Sequence, residues 1–312
     1  MRRAIILLLL SALTTPLSAG EVRVVASFTI VADMTREVAG DRATVTTLVG
    51  PDGDAHAFEP APQHARRIAS ADLVVRNGLG FEGWMNRLLE AADGNAHVVT
   101  ATDGVPAIAA SDHAHAGEHD HGHSHDHGHG EGHGDTDPHA WLDAARARIY
   151  VNNIRDGLQR VDPDHAEVYA ERAEAYLQAL EALDGRIRRT LTDIPGDRRR
   201  ILTSHAAFGY FEDAYGVEFL SPRGLSTEAD PSAADVAELV RAVRAERVAA
   251  LLPDNLTDAR LLHRIAEGGG MTVGPNLYSD ALSPADGPAP TYMAMMEHNA
   301  RVIAEALGAA SD

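Results

Sequence analysis

From residue 21 onward the apolar positions alternate between two rhythms. Short β-branched runs occur at 22–27, 44–49, 72–76 and 97–100, each with the length and composition of a buried strand. Between them, near 30–39, 62–70 and 81–92, apolar residues recur at steps of three and four, the period of an amphipathic helix. The alternation resumes after residue 198. Strands are expected at 199–204, 217–220, 248–252 and 271–273, and helices at 206–215, 232–246, 257–267 and 289–307. Such alternation predicts an α/β protein with parallel sheets covered by helices.

A longer pattern separates the two halves. Asp162-Pro163 reads as a helix start, with an N-cap Asp and Pro at the first helical position. Tyr169, Ala173, Tyr176, Leu180, Leu183 and Ile187 then form one apolar stripe, and Pro195-Gly196 ends the run. About thirty residues at 1.5 Å rise make a rod of about 45 Å. Both flanking regions hold a full set of strands and helices, so the rod is expected to join two (β/α) lobes. An ordinary packed helix within one larger domain is the competing reading. The expected division is a lobe at 21–160, a linking helix at 161–195 and a second lobe at 196–312.

Residues 1–20 fit neither lobe. Arg2 and Arg3 precede an apolar stretch from Ala4 to Leu13 that is too short to span a bilayer, and Leu17-Ser18-Ala19 resembles a small-residue cleavage site. A cleaved signal peptide is expected, with the mature chain starting near Gly20 or Glu21; a retained anchor helix is the alternative. No later run of about 18 apolar residues follows, so a soluble exported chain is expected. The sequence has no cysteine, which removes disulfides, thiolate metal ligands and a lipid-bearing cysteine; a free, monomeric periplasmic protein is the simplest expectation. Aromatics are only 5% against 45% apolar residues, so the cores should be aliphatic. The net charge of −19 argues against nucleic acid or an anionic membrane as partner.

The stretch 111–137 breaks both rhythms. It is built almost wholly of His, Asp, Gly, Glu, Ala and Ser and has no apolar face to bury, so a flexible loop is expected. Nine of the 17 histidines lie there: His113, His115, His119, His121, His123, His125, His127, His129 and His133. Neutral imidazole suits zinc, copper and nickel. Many near-equivalent imidazoles on a flexible chain imply weak, fast-exchanging capture. An inert spacer and a sensor of histidine protonation are the other readings.

Four further residues stand in distinctive settings: His56 in GPDGDAHAFEP, His139 in DTDPHAWLD, His205 in ILTSHAAFGYF and Asp280 in GPNLYSDAL. At least three follow the carboxyl end of an expected strand, the edge where open parallel sheets place ligands. Two come from each half, so a cleft between lobes would unite them. Three imidazoles and one carboxylate suit a tetrahedral zinc shell. Singly each is weak, and Asp280 alone reads equally as a helix cap. His64, His97, His165, His263 and His298 are expected to be surface or structural residues.

The motifs DAHAFEP, DPHAWLD, TSHAAFGYF, LYSDAL and RGLSTEADPSAADV resemble those of the zinc and manganese solute-binding proteins of ABC importers, from about residue 22 to residue 308. The resemblance implies two lobes joined by a long rigid helix, a buried inter-lobe metal held by His56, His139, His205 and Asp280, and delivery to an ABC permease with its cytoplasmic ATPase. Manganese members usually carry a carboxylate where this chain has His205, so the third imidazole and the His-rich loop favour Zn2+. Ala55 stands where many relatives have Pro. Glu59 is a candidate partner or spare ligand, and equally a surface residue. A zinc metallochaperone is a further candidate partner. A zinc hydrolase is not expected, since four protein ligands close the shell and neither HExxH nor a strand–turn–helix GxSxG element is present. A manganese-binding member of the same family, or a zinc buffer or adhesin without a transporter, would share the site.

Overall fold

The first sheet is built around β1 (Val22–Phe28), six of whose seven residues are buried, as befits an apolar strand covered on both faces. It pairs in parallel with β2 (Ala43–Val49) and β3 (Leu73–Arg76), and β3 pairs in parallel with β4 (His97–Thr100). The order is β2-β1-β3-β4. Helices α1 (Thr29–Ala39), α2 (Pro62–Ala69) and α3 (Met85–Ala92) connect these strands. The structure is a computed structural model and describes residues 21–109, 136–222, 237, 240, 241, 243, 245 and 247–308. The signal segment, nearly all of the His-rich loop, the RGLSTEADPSAADV stretch and most of the helix expected at 232–246 lie outside the described residues.

One helix was absent from the expected elements. α4 (Ala144–Val161) buries Ala147, Tyr150, Val151, Ile154 and Leu158, and Asp143 caps it by accepting from the Ala145 N–H at 2.8 Å. Arginines and asparagines interleave with this stripe and dilute its signal. α4 lies against the sheet because residue 157 is glycine: a Cβ there would stand 2.4 Å from Val99 Cγ2.

The second sheet is smaller. β5 (Arg200–Leu202) pairs in parallel with β6 (Glu218–Leu220) and β7 (Ala250–Leu251), in the order β6-β5-β7. The strand expected at 271–273 is reduced to one parallel bridge, Leu251 to Val273, and a second bridge joins Asp254 to Leu277. Here the helices are α6 (Gly209–Tyr215), α7 (Arg260–Gly269) and α8 (Tyr292–Leu307).

The long helix, α5, runs from Ala166 to Thr192, 27 residues or about 40 Å. Its start differs from the expectation. Pro163–His165 form a 3-10 turn, and the Asp162 N–H closes α4 on Leu158 O. The Asp162 carboxylate accepts from Tyr169 Oη at 2.6 Å and pairs with His165 Nδ1 at 2.9 Å. These side chains outcompete the N-cap role. Tyr169, Ala173, Tyr176, Leu180, Leu183, Ile187 and Leu191 are all buried. They pack α5 against α1 and α4 of the first half and against α6 and α8 of the second. Each of the buried leucines and Ile187 contributes roughly 1.5–3 kcal/mol, so α5 is fixed along its length. Among the described residues no helix is long and apolar enough to cross a membrane.

Candidate metal centre

His56, His139, His205 and Asp280 each direct one candidate ligand atom into a single cluster, with all four atoms within 4.8 Å of one another. It is the one group of three or more such side chains found among the described residues. All four were named from sequence, and the fold brings all four together.

His56 lies on the loop after β2. Asp54 Oδ1 accepts from the His56 and Ala57 N–H groups at 2.8 and 3.3 Å, and Trp84 Nε1 donates to Ala55 O at 2.8 Å. The His56 ring meets Phe81 edge-on at 4.5 Å. Phe81 is in turn steadied by buried Glu82, which accepts from Ser27 Oγ at 2.6 Å and from the Asn77 N–H at 2.7 Å.

His139 precedes α4 and is fully buried. Asp137 Oδ1 accepts from its N–H at 2.9 Å and pairs with its Nδ1 at 2.7 Å, leaving Nε2 to face the cluster. Asp137 stands close to the start of α6. A Cβ at position 209 would lie 2.5 Å from Asp137 Oδ2, so glycine is required there. Tyr210 Oη adds a bond to Asp137 O at 3.0 Å.

His205 follows β5, and its Nδ1 pairs with Asp254 Oδ2 at 2.8 Å. Asp254 is fixed through its other oxygen, which accepts from the Leu256 and Thr257 N–H groups and from Thr257 Oγ1 at 2.9–3.1 Å. Such carboxylate–histidine pairs fix ring orientation and raise ligand basicity. Asp280 follows the bridge at Leu277, and its loop is tied to the first half by Trp141 Nε1 donating to Ser279 O at 2.8 Å. Further bonds cross between the halves: Asp52 N to Leu282 O at 3.2 Å, Asn255 Nδ2 to Asp52 Oδ1 at 3.0 Å and Leu282 N to Thr29 Oγ1 at 2.9 Å.

The spacings fit a shared cation. Nε2 of His56 is 3.3 Å from Nε2 of His139 and 3.6 Å from Asp280 Oδ2. Asp280 Oδ2 is 3.0 Å from His205 Nε2, and Oδ1 is 3.4 Å from His139 Nε2. A tetrahedral shell with metal–ligand distances of about 2.0–2.2 Å has edges of roughly 3.3–3.6 Å. Asp280 Oδ1 is buried and accepts no hydrogen bond from the protein; an acceptor so placed is costly unless a cation meets it. Three of the four residues are fully buried, while the His56 side chain keeps 8% exposure, so His56 faces the entrance.

Both ring nitrogens of His205 face carboxylate oxygens, which only accept, so the metal-free ring carries two protons. Burial opposes that charge, but Asp254 and Asp280 outweigh it and hold the His205 pKa well above its ordinary value. Burial likewise opposes the Asp280 charge, yet His139 and His205 keep its carboxyl well below the usual range. A metal held by this cluster would have to displace the proton on His205 Nε2, while Asp254 would keep the one on Nδ1. Affinity should rise about tenfold per pH unit below the His205 pKa. Calorimetry at pH 7 in buffers of differing ionisation enthalpy should report about one proton released per ion bound; buffer-independent heats would refute the doubly protonated ring.

Sequence reading missed Asp137 and Asp254. Asp137 lies two residues before His139 in a motif already singled out, and Asp254 follows β7 as His205 follows β5, so the strand-end rule had reach enough to find it. Glu59 is exposed and outside the cluster.

Residues 24–306 match the family model described as zinc-uptake complex component A, periplasmic. The iron-binding protein YfeA of Yersinia pestis is 30% identical over 93% of this chain and 88% of its own length. The manganese-binding lipoprotein MntA of Halalkalibacterium halodurans is 31% identical over 89% of this chain and 85% of its own. Among solved structures, the periplasmic zinc-binding protein TroA of Treponema pallidum superposes with a TM-score of 0.81 at 26% identity, covering 92% of this chain and 99% of that one.

Proposed function

The chain belongs to the family of periplasmic zinc-uptake components, and from that premise we propose that it captures Zn2+ with His56, His139, His205 and Asp280 and hands it to an ABC importer. Its family comprises the substrate-binding components of metal importers, not enzymes. A cognate permease and ATPase follow from that place in the importer.

The observation that carries the ligand assignment is the convergence of three imidazole nitrogens and one carboxylate within 4.8 Å, braced by Asp137 and Asp254. Zinc is the preferred substrate because a third imidazole softens the shell relative to an oxygen-rich one. Manganese or iron is the second reading. It is favoured by relatives named for those metals and by Asp280, which turns both oxygens toward the cluster and so could supply a fifth ligand. Competition titration decides between them: one tight Zn2+ site per chain should persist against excess Mn2+ and Fe2+. Equal or tighter binding of Mn2+ would overturn the choice of zinc.

The rest of the proposal concerns delivery. Residues 1–20 act as a cleaved export signal, and 113–133 collect zinc weakly or meet a metallochaperone. The lobes divide at 21–160 and 196–312 around the linking segment at 161–195, whose helix is α5 (Ala166–Thr192). Cross-bonds between the halves and a helix packed along its length imply that release involves small lobe shifts and no wide hinge. Deleting residues 113–133 should abolish the weak additional zinc sites and leave the tight site unchanged by calorimetry. Loss of the tight site would make the loop a primary ligand source. Failure of a deletion strain to grow without added zinc would separate import from buffering or adhesion.

A further inference from the structure

The buried stripe of α8 has one polar member. Tyr292, Met295, Met296, Ala300 and Ile303 are buried, and Asn299 lies fully buried in line with them. A helical period of three and four asks for an apolar residue at that position. An amide placed there is costly unless its donor and its acceptor both find partners. Both find them in one residue. Asn299 Oδ1 accepts from the Tyr278 N–H at 2.9 Å, and Asn299 Nδ2 donates to Tyr278 O at 2.7 Å. The side chain meets Tyr278 as a neighbouring strand would.

Tyr278 stands two residues before Asp280, on backbone that is neither helix nor ladder-paired strand. Beyond the single bridge at Leu277, the polar groups of this segment have to be met by side chains. Trp141, from the first half, donates to Ser279 O at 2.8 Å. Asn299 holds the preceding residue from the second half. The backbone leading into Asp280 is therefore gripped from both sides. A ligand must be held to within about 0.5 Å of its working position, and an aspartate side chain is short, so the placement of residues 278 and 279 sets where the Asp280 carboxylate can reach. A clasp that served stability alone would leave metal affinity unchanged once the chain is folded.

We propose that Asn299 is a positioning residue of the metal centre: by clasping the backbone of Tyr278 it sets the place of the Asp280 carboxylate, without lending an atom to the cluster. This rests on the reading of Asp280 as a metal ligand.

The test uses the full chain. Competition titration against a chromophoric chelator reads Zn2+ affinity, and the metal-free Tm reads stability. Asn299→Leu fits the apolar stripe and leaves both polar groups of Tyr278 without the amide. It should bind Zn2+ about 10–100-fold more weakly than wild type, the loss typical when a residue that orients a ligand is removed. Asn299→Asp removes only the donor to Tyr278 O; it should lose about tenfold and covers the case in which the leucine variant does not fold. Leu191→Ala is the control for stability. Leu191 is 2% exposed, and its carbonyl accepts at 2.7 Å from Arg199 Nη2, just before β5 and at the opposite end of that strand from His205. Its truncation should lower Tm by about 5–15 °C and leave Zn2+ affinity within about twofold of wild type. With Co2+ in the site, the visible absorption bands follow ligand geometry, so they should shift in Asn299→Leu and stay in place in Leu191→Ala. Three results each overturn the inference alone: a tight wild-type site with near-equal affinity in the Asn299 variants, an equal loss of affinity in Leu191→Ala, or coincident Co2+ bands in Asn299→Leu and wild type. A wild-type chain without a tight site overturns the proposed function and this inference with it.

Discussion

His205→Ala should weaken the proposed metal site by two to three orders of magnitude. Structural zinc sites are worth about 10–16 kcal/mol over four ligands, so one ligand accounts for roughly 3–4 kcal/mol. His205 carries more than its nitrogen. Its Nδ1 neutralises Asp254, and its Nε2 lies 3.0 Å from Asp280. Without the ring, two buried carboxylates lose their shared cation, so the metal-free variant should also unfold more easily. Competition titration against a chromophoric chelator reads the affinity. Asp254→Asn provides the graded comparison: it keeps all four ligands and disturbs only the orientation of one, for an expected loss of about 10–100-fold. An alanine variant with near-native affinity would remove His205 from the site.

Trp141→Ala should be the most damaging change outside the cluster. Trp141 is fully buried. Its ring centroid lies 4.9 Å from Phe81, 5.1 Å from Phe28 and 5.3 Å from His139. Truncating such a side chain costs about 3–5 kcal/mol, or roughly 10 °C in Tm for a protein of this size. The indole also ties the halves together, since Nε1 donates to Ser279 O at 2.8 Å. The Asp280 loop should therefore loosen, and metal affinity should fall with stability. Trp141→Phe separates the two effects. It keeps an aromatic ring in the Phe28–Phe81 cluster, but Ser279 O loses its donor. Tm should drop only slightly while affinity still falls. Wild-type affinity in the phenylalanine variant would show that the bond to Ser279 has no role in holding Asp280.

Much of this was legible in the chain because it is local. β1 to β4 lie within a residue or so of the expected runs, since β-branched stretches between helical periods mark buried parallel strands. The α5 stripe from Tyr169 to Ile187 was read residue by residue. The errors also have local causes. The polar residues of α4 masked its stripe, and Asp162 bonded to Tyr169 and His165 instead of capping α5. The strand expected at 271–273 had the right composition but found only one bridging partner. Sheet pairing is decided by the neighbour and not by the run itself.

The site divides along the same line. Residue types and motif settings were enough to single out His56, His139, His205 and Asp280, because imidazole and carboxylate chemistry is carried by the side chain wherever it lies. They could not show that four candidate ligand atoms from loops of both halves meet within 4.8 Å. Nor could they show that Asp254, 49 residues from His205, holds its ring, or that Trp141, 138 residues before Ser279, ties down the loop that carries Asp280. Those relations arise only when the two sheets and the helices around α5 pack against one another. Periodicity along a chain reports which face of each element is buried, whereas the meeting of loop ends depends on the relative placement of elements far apart in sequence.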